Sequence, residues 1–156
     1  MNTNSSSLGN PGSVGFGGIL RDHNGAWVSA FTGSCEITTS LKAELFAIMH
    51  GLQTAWDSGL RDIICESDSA VALELINKEP NVCHPYYAII KKIQDTITLP
   101  WKCSLQHTWR EANSCADWLA KYGSSHDDPY VLWSTCPTQL ANPMLADAMG
   151  ITHLRP

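Results

Sequence analysis

The sequence has few charges and fewer cations. Charged residues make up 16% of its 156 positions, and only 10 are Lys or Arg. These are scattered, with Lys91 and Lys92 the only adjacent pair. Together with a net charge of −5, this excludes a long basic arm and a broad cationic surface for non-specific binding to nucleic acid. It leaves room for a nucleic-acid enzyme, whose site works through metal ions and a few local cations and whose own carboxylates add negative charge. No apolar run is long enough to cross a bilayer before a charge interrupts it. Residues 1–10 are polar and lack the apolar core of a secretory signal, so the expected location is intracellular, nucleus or cytoplasm, and not secreted. The six cysteines (35, 65, 83, 103, 115 and 136) contain no C-x-x-C pair. In a reducing compartment they read as small, mostly buried apolar residues rather than disulfides. Neither they nor the six histidines supply the short fixed spacings of a zinc site. Internal repeats, low-complexity tracts and heptads are missing as well.

What is present fits one compact domain with its own core. Asn10-Pro11-Gly12-Ser13 and Asp22-His23-Asn24-Gly25 are turn signals flanking an apolar, glycine-rich run from Val14 to Leu20, and Ala26 to Phe31 follows with loose alternation. Two strands joined by a tight Asn-Gly turn account for this, with a further strand before Asn10. Thr39 and Ser40 are helix caps, followed by apolar residues at Leu41, Leu45, Ile48, Met49, Leu52, Ala55 and Trp56 and closed by Gly59. Ile63 to Cys65 is a short strand. Helices are expected over about Ser69–Asn77, around Tyr87–Ile97 and over Glu111–Tyr122, with a strand over Trp101–Trp109. The order predicts an α/β domain with a five-stranded mixed sheet flanked by helices over residues 1–123. Residues 124–156, rich in proline, form an extension that packs on the domain or trails it.

Three carboxylates sit near buried faces. Glu44 lies beside the apolar stripe of the first helix, where an unpaired charge is costly. Asp68 lies at the carboxyl end of a strand, the usual ligand position in α/β sheets. Asp117 is flanked by Ala116 and Leu119 in the last helix. Convergence on a shared cation is one account. The other makes Asp68 a helix cap and leaves Glu44 and Asp117 as solvated side chains at the stripe edge. Taken singly, each carboxylate is better explained by the second.

Four separated segments alter that balance. Asn4-Ser5-Ser6-Ser7-Leu8-Gly9-Asn10-Pro11-Gly12 with Gly15 to Arg21, Thr39-Ser40-x-x-Ala43-Glu44-Leu45, Ser67-Asp68-Ser69, and Arg110-Glu111-Ala112-Asn113-x-x-Ala116-Asp117-x-Leu119-Ala120 resemble type 1 ribonuclease H motifs, collinear over about residues 2–123. The Arg-Glu-Ala-Asn form resembles the plant, retroelement-derived branch, and the tail resembles plant members more weakly. The resemblance implies two Mg²⁺ ions, with Mn²⁺ as a substitute, roughly 4 Å apart on an Asp, Glu, Asp, Asp set. Glu44, Asp68 and Asp117 match its last three members. Asn4 stands where the family has its first aspartate, and Ser5 replaces the glycine after it. An amide keeps the shape but loses the charge, and half of it becomes a donor. Met1 lies only three residues before Asn4, so the first strand is expected to be truncated.

The implied partner is an RNA–DNA hybrid, with no membrane involved. By the same resemblance Asn10 reaches the hybrid's minor groove, and Thr39 and Ser40 meet a strand through the helix N-terminus; a turn residue and helix caps explain these three equally. The histidine-bearing loop of many members is shortened here to Trp109-Arg110-Glu111. Arg110 is the candidate cation there, and His107 falls on the strand. The expected function is metal-dependent endonucleolytic hydrolysis of RNA in RNA–DNA hybrids, impaired by Asn4. The alternatives are a catalytically dead module binding hybrids or double-stranded RNA, and a retroelement remnant.

Overall fold

The structure, a computed structural model, describes residues 1–7, 13–35, 38–110, 113–126 and 128–148, with side chains described as far as 144. In chain order these form β1 (Asn2–Ser7), β2 (Val14–Arg21), β3 (Trp27–Cys35), α1 (Ser40–Asp57), β4 (Asp62–Ser67), α2 (Ala70–Asn77), α3 (Tyr87–Ile97), β5 (Lys102–His107), α4 (Ser114–Ser124), β6 (Val131–Trp133), a 3₁₀ turn (Thr138–Leu140) and α5 (Ala141–Ala148). The sheet has six strands in the order β5-β4-β1-β2-β3-β6, which corrects the expected five. β1, β2 and β3 are antiparallel neighbours, whereas β1–β4 and β4–β5 are parallel, so the sheet is mixed. The sixth strand comes from the extension: Val131–Trp133 pairs antiparallel with Ala30–Thr32 and covers the edge that β3 would otherwise expose.

Local chemistry explains the main elements. In the β2–β3 turn, Asp22 Oδ1 accepts from the Asn24 and Ala26 N–H groups, both at 2.9 Å. α1 starts where Thr39 Oγ1 accepts from Lys42 N at 3.2 Å. It ends with the Gly59 and Leu60 N–H groups bonded back to Trp56 and Ala55 carbonyls. Ser69 caps α2 through Ala72 N. The expected last helix began at Glu111, but α4 begins at Ser114 behind Asn113. Asn113 donates its side-chain amide to Thr3 O at 2.9 Å, and that bond holds the helix start against β1. Glu111 and Ala112, like Asn10, lie outside the described residues.

The two faces of β2 read out in alternation. Phe16 and Leu20 join Phe31, Ala47 and Ala55 on the α1 side. Ile19 joins Ala30, Cys115, Leu119 and Leu140 on the α4 side. A third cluster, Leu45, Ile48, Leu52, Cys65, Leu73, Ile76, Ile90 and Ile93, locks α1 to α2 and α3. Glycines decide how closely α4 approaches. A Cβ on Gly15 would lie 2.1 Å from Ser124 N, and one on Gly17 would lie 2.8 Å from Ala120 N. The α4 backbone therefore rests directly on the strand, a contact any side chain would pry open. Among the described residues no helix is long and apolar enough to cross a membrane.

The extension is held by specific contacts. Ser34 N donates to Asp128 O at 2.9 Å, Trp133 Nε1 donates to Thr32 Oγ1 at 3.2 Å, and the Tyr130 and Thr54 hydroxyls share a hydrogen bond. Leu140 is fully buried. Leu140→Ala should therefore cost about 2–5 kcal/mol, the range for deleting a buried leucine side chain. Urea denaturation of the two proteins checks this, and a loss below about 1 kcal/mol would show that the extension adds little to the core.

Candidate active site

Asn4, Ser5, Glu44, Asp68 and Asp117 line one open groove of about 1240 Å³, together with Ser40, His107, Trp109, Arg110 and Lys121. Each arrives on a separate element: Asn4 and Ser5 on β1, Glu44 in the second turn of α1, Asp68 directly after β4, and Asp117 in the first turn of α4. Asn4 is almost fully buried. Its Oδ1 accepts from Ser5 N at 2.9 Å, which turns Nδ2 toward Asp117 Oδ1 at 3.3 Å. An amide thus donates to the carboxylate across the groove.

Glu44 is held on one side only. Its Oε1 accepts from Ser5 Oγ at 2.6 Å and from Ser5 N at 3.1 Å. Its Oε2 is buried with no hydrogen-bond partner. Burial pushes the carboxyl up from 4.5 to about 7; the Ser5 hydroxyl works against this and the nearby Asp68 charge adds to it. Burial also raises the Asp68 carboxyl, opposed by the Arg110 guanidinium, whose Nε lies 4.0 Å from Asp68 Oδ2. Asp117 Oδ2 pairs with Lys121 Nζ at 2.9 Å, one helical turn on.

An orphaned buried carboxylate oxygen beside two further carboxylates, all hard oxygen donors, fits a divalent cation of the Mg²⁺ kind. The fit is loose. Among the described residues no three His, Cys, Asp or Glu side chains are grouped closely enough to hold a metal as they stand. Asp117 is already engaged on both oxygens by Asn4 and Lys121.

The other expected contacts divide. Ser40 and Arg110 line the groove. Thr39 caps α1 and bonds the Tyr86 hydroxyl at 2.6 Å, and it is not part of the groove wall. Asn10 lies outside the described residues. His107 is indeed the last residue of β5, and from there it lines the groove too. Sequence reading missed three participants: Ser5 as donor to Glu44, Asn113 as the peg between α4 and β1, and Lys121 as partner of Asp117. Only Lys121 carried a readable signal, its spacing of i,i+4 from Asp117.

Comparison with known proteins gives similarities of three kinds: to a family model, to a curated protein and to solved structures. The profile of the family described as reverse transcriptase-like matches residues 2–123. A protein of Arabidopsis thaliana with a provisional ribonuclease H name is 30% identical over 155 residues, covering 99% of this chain and 25% of that protein. The chain therefore spans a quarter of that relative's length. Among solved structures, ribonuclease H1 of the halophilic archaeon Halobacterium salinarum superimposes with a TM-score of 0.71 at 25% identity, covering 78% of this chain and 93% of the other. LC11 ribonuclease H1, solved in complex with an RNA/DNA hybrid, has the same fold, with a TM-score of 0.71, 22% identity and coverage of 80% and 94%.

The raised Glu44 pKa sets a pH dependence. Between about 4.5 and 7 the folded chain keeps this proton and the unfolded chain loses it, so stability falls as pH rises through that window. The loss from this group, complete above pH 7, is on the order of 3 kcal/mol. Glu44→Gln should remove that slope and be the more stable protein at pH 8 in chelator. Urea curves at pH 5, 6.5 and 8 measure this, and parallel profiles for both proteins would refute the burial argument.

Proposed function

This chain belongs to the reverse transcriptase-like family, and from that premise we propose that it is a ribonuclease H-type domain. In this reading it binds RNA–DNA hybrids and hydrolyses their RNA strand with divalent metal, at a rate reduced by Asn4. The observation that carries the reading is Glu44 Oε2, a buried carboxylate oxygen without a partner in the wall that Asp68 and Asp117 share. The hybrid bound by LC11 ribonuclease H1, a protein of the same fold, supports the choice of substrate.

Glu44, Asp68 and Asp117 would hold Mg²⁺, or Mn²⁺ in its place. Bound there, the metal supplies an activated water for in-line attack on an RNA phosphate and charge stabilisation for the leaving 3′ oxygen. The protein's own groups prepare the site. Ser5 pins Glu44 by one oxygen and leaves the other for the cation. Arg110, beside Asp68, balances phosphate charge. The α1 N-terminus at Ser40, on the groove wall, offers N–H groups to the strand backbone. Contacts to 2′-hydroxyls give the preference for RNA.

A second reading, a module that binds hybrids without cutting them, is favoured by the state of Asp117. The Asn4 amide and the Lys121 ammonium already satisfy both of its oxygens, so a cation must displace them.

Asn4→Asp tests both readings. It replaces an N–H donor 3.3 Å from Asp117 with a like charge. The metal-free variant should be less stable than the parent and should gain stability on adding Mg²⁺. Cleavage of a labelled hybrid should rise about a hundred- to thousand-fold, the scale of one charge-stabilising group. Asn4→Asp with Ser5→Gly should do at least as well, and adding Asp68→Asn should abolish the gain. A folded double variant that binds hybrids and stays inert decides for the binding module. One that neither cuts nor binds overturns both readings.

A further inference from the structure

Trp109 is absorbed by none of the roles above. It is the largest of the exposed apolar side chains, at 59% exposure, and it stands on the groove wall. Val71, at the start of α2 and 56% exposed, lines the same groove. Two exposed apolar groups thus line a groove otherwise made mostly of polar side chains. Leaving an indole in water forfeits burial that this residue type normally contributes. Its position is also fixed. The preceding Thr108 is buried, with its N–H on Ser67 O at 2.9 Å. The Arg110 carbonyl that follows accepts from Asn113 N at 3.0 Å. The indole meets the His107 ring edge-on, centroids 5.1 Å apart and planes at 88°. An exposed aromatic plane held between two anchored residues is a preorganised stacking surface.

We propose that Trp109, with Val71 lining the same groove, seats an unpaired nucleobase where a single-stranded end borders the hybrid. This rests on the hybrid-binding function proposed above and specifies which form of the substrate is bound best. Bases inside a duplex already use both faces in their own stack, so an indole gains little from them. A base in a single-stranded tail has a free face, and stacking on tryptophan accepts any base. Arg110, the next residue, places a guanidinium beside the phosphate of the same nucleotide. β5, which ends at His107, is an edge of the sheet, so a tail leaving the duplex here passes no further strand.

The test compares labelled RNA–DNA hybrids that are blunt or carry a single-stranded tail of about four nucleotides at either end. Binding is read by fluorescence anisotropy in chelator, and the quantity of interest is the ratio of tailed to blunt affinity. The wild-type ratio should be about ten for one tail polarity, the scale of a single stacked base. Trp109→Ala, shown by circular dichroism to be folded, should bring that ratio to about one, and Trp109→Phe should recover part of it. A ratio near one in the wild type, or a tail gain kept by Trp109→Ala, overturns the seat while leaving hybrid binding intact. Failure of the folded wild type to bind either hybrid overturns the seat and the proposed function together.

Discussion

The groove depends on a central strand that is polar from end to end. β1 reads Asn-Thr-Asn-Ser-Ser-Ser, and Asn2, Thr3, Asn4 and Ser5 are all buried. Such a strand cannot be held by burial of apolar side chains. Its backbone ladders to β2 along its whole length, and surrounding elements take up several of its polar side chains and carbonyls, the buried Thr3 hydroxyl excepted. Asn2 accepts from Arg21, Thr3 O from Asn113, Asn4 bonds Asp117, and Ser5 bonds Glu44. These bonds tie three elements to the strand: β2 through Arg21, α4 through Asn113 and Asp117, and α1 through Glu44. α1 and α4, on opposite faces of the sheet, are thereby brought to one end of it with their carboxylates facing.

Apolar packing then fixes what these bonds cannot. α4 carries Asp117, and its distance from β1 is set by its rest on Gly15 and Gly17. α1 carries Glu44, and its depth is set by Leu45 and Ile48, fully buried beside it. Burial at this depth pushes the Glu44 carboxyl up to about 7. Asp68, on a bend directly after β4, lies 4.0 Å from Arg110 Nε. The three carboxylates thus reach one groove by different routes: Glu44 on a buried face of α1, Asp117 on a helix resting on two glycines, and Asp68 at the end of β4.

Much of this was legible in the sequence because periodicity and end signals are local. The Leu41 to Trp56 stripe with Thr39 before it and Gly59 after it gave α1, and Ile63 to Cys65 gave the strand with Asp68 just beyond its end. The sixth strand was not legible. Val131–Trp133 is three residues long, too short for alternation to register, and its partner edge lies about a hundred residues away in sequence, at Ala30 to Thr32. The start of α4 was misplaced for a similar reason. Its N-terminus is set by Asn113 bonding Thr3 O, a tertiary contact with no local trace. Ser5 looked only like a lost glycine because its partner is on another element.

Asn4 and Ser5 are best understood together. In the family resembled here these positions are Asp and Gly, which offer the neighbouring carboxylates no side-chain donor. In this chain each substitution supplies one: the Asn4 amide to Asp117 Oδ1 and the Ser5 hydroxyl to Glu44 Oε1. Without a cation, four carboxylates around one groove would repel one another and leave lone pairs buried and unbonded. Removing one charge and adding two donors eases the repulsion and bonds Asp117 Oδ1 and Glu44 Oε1 from within the protein, while Glu44 Oε2 stays unbonded. Lys121 on Asp117 extends the same solution with a charge of its own. Asn4 and Ser5 therefore act in the same direction, each giving one groove carboxylate a hydrogen-bond donor from the central strand.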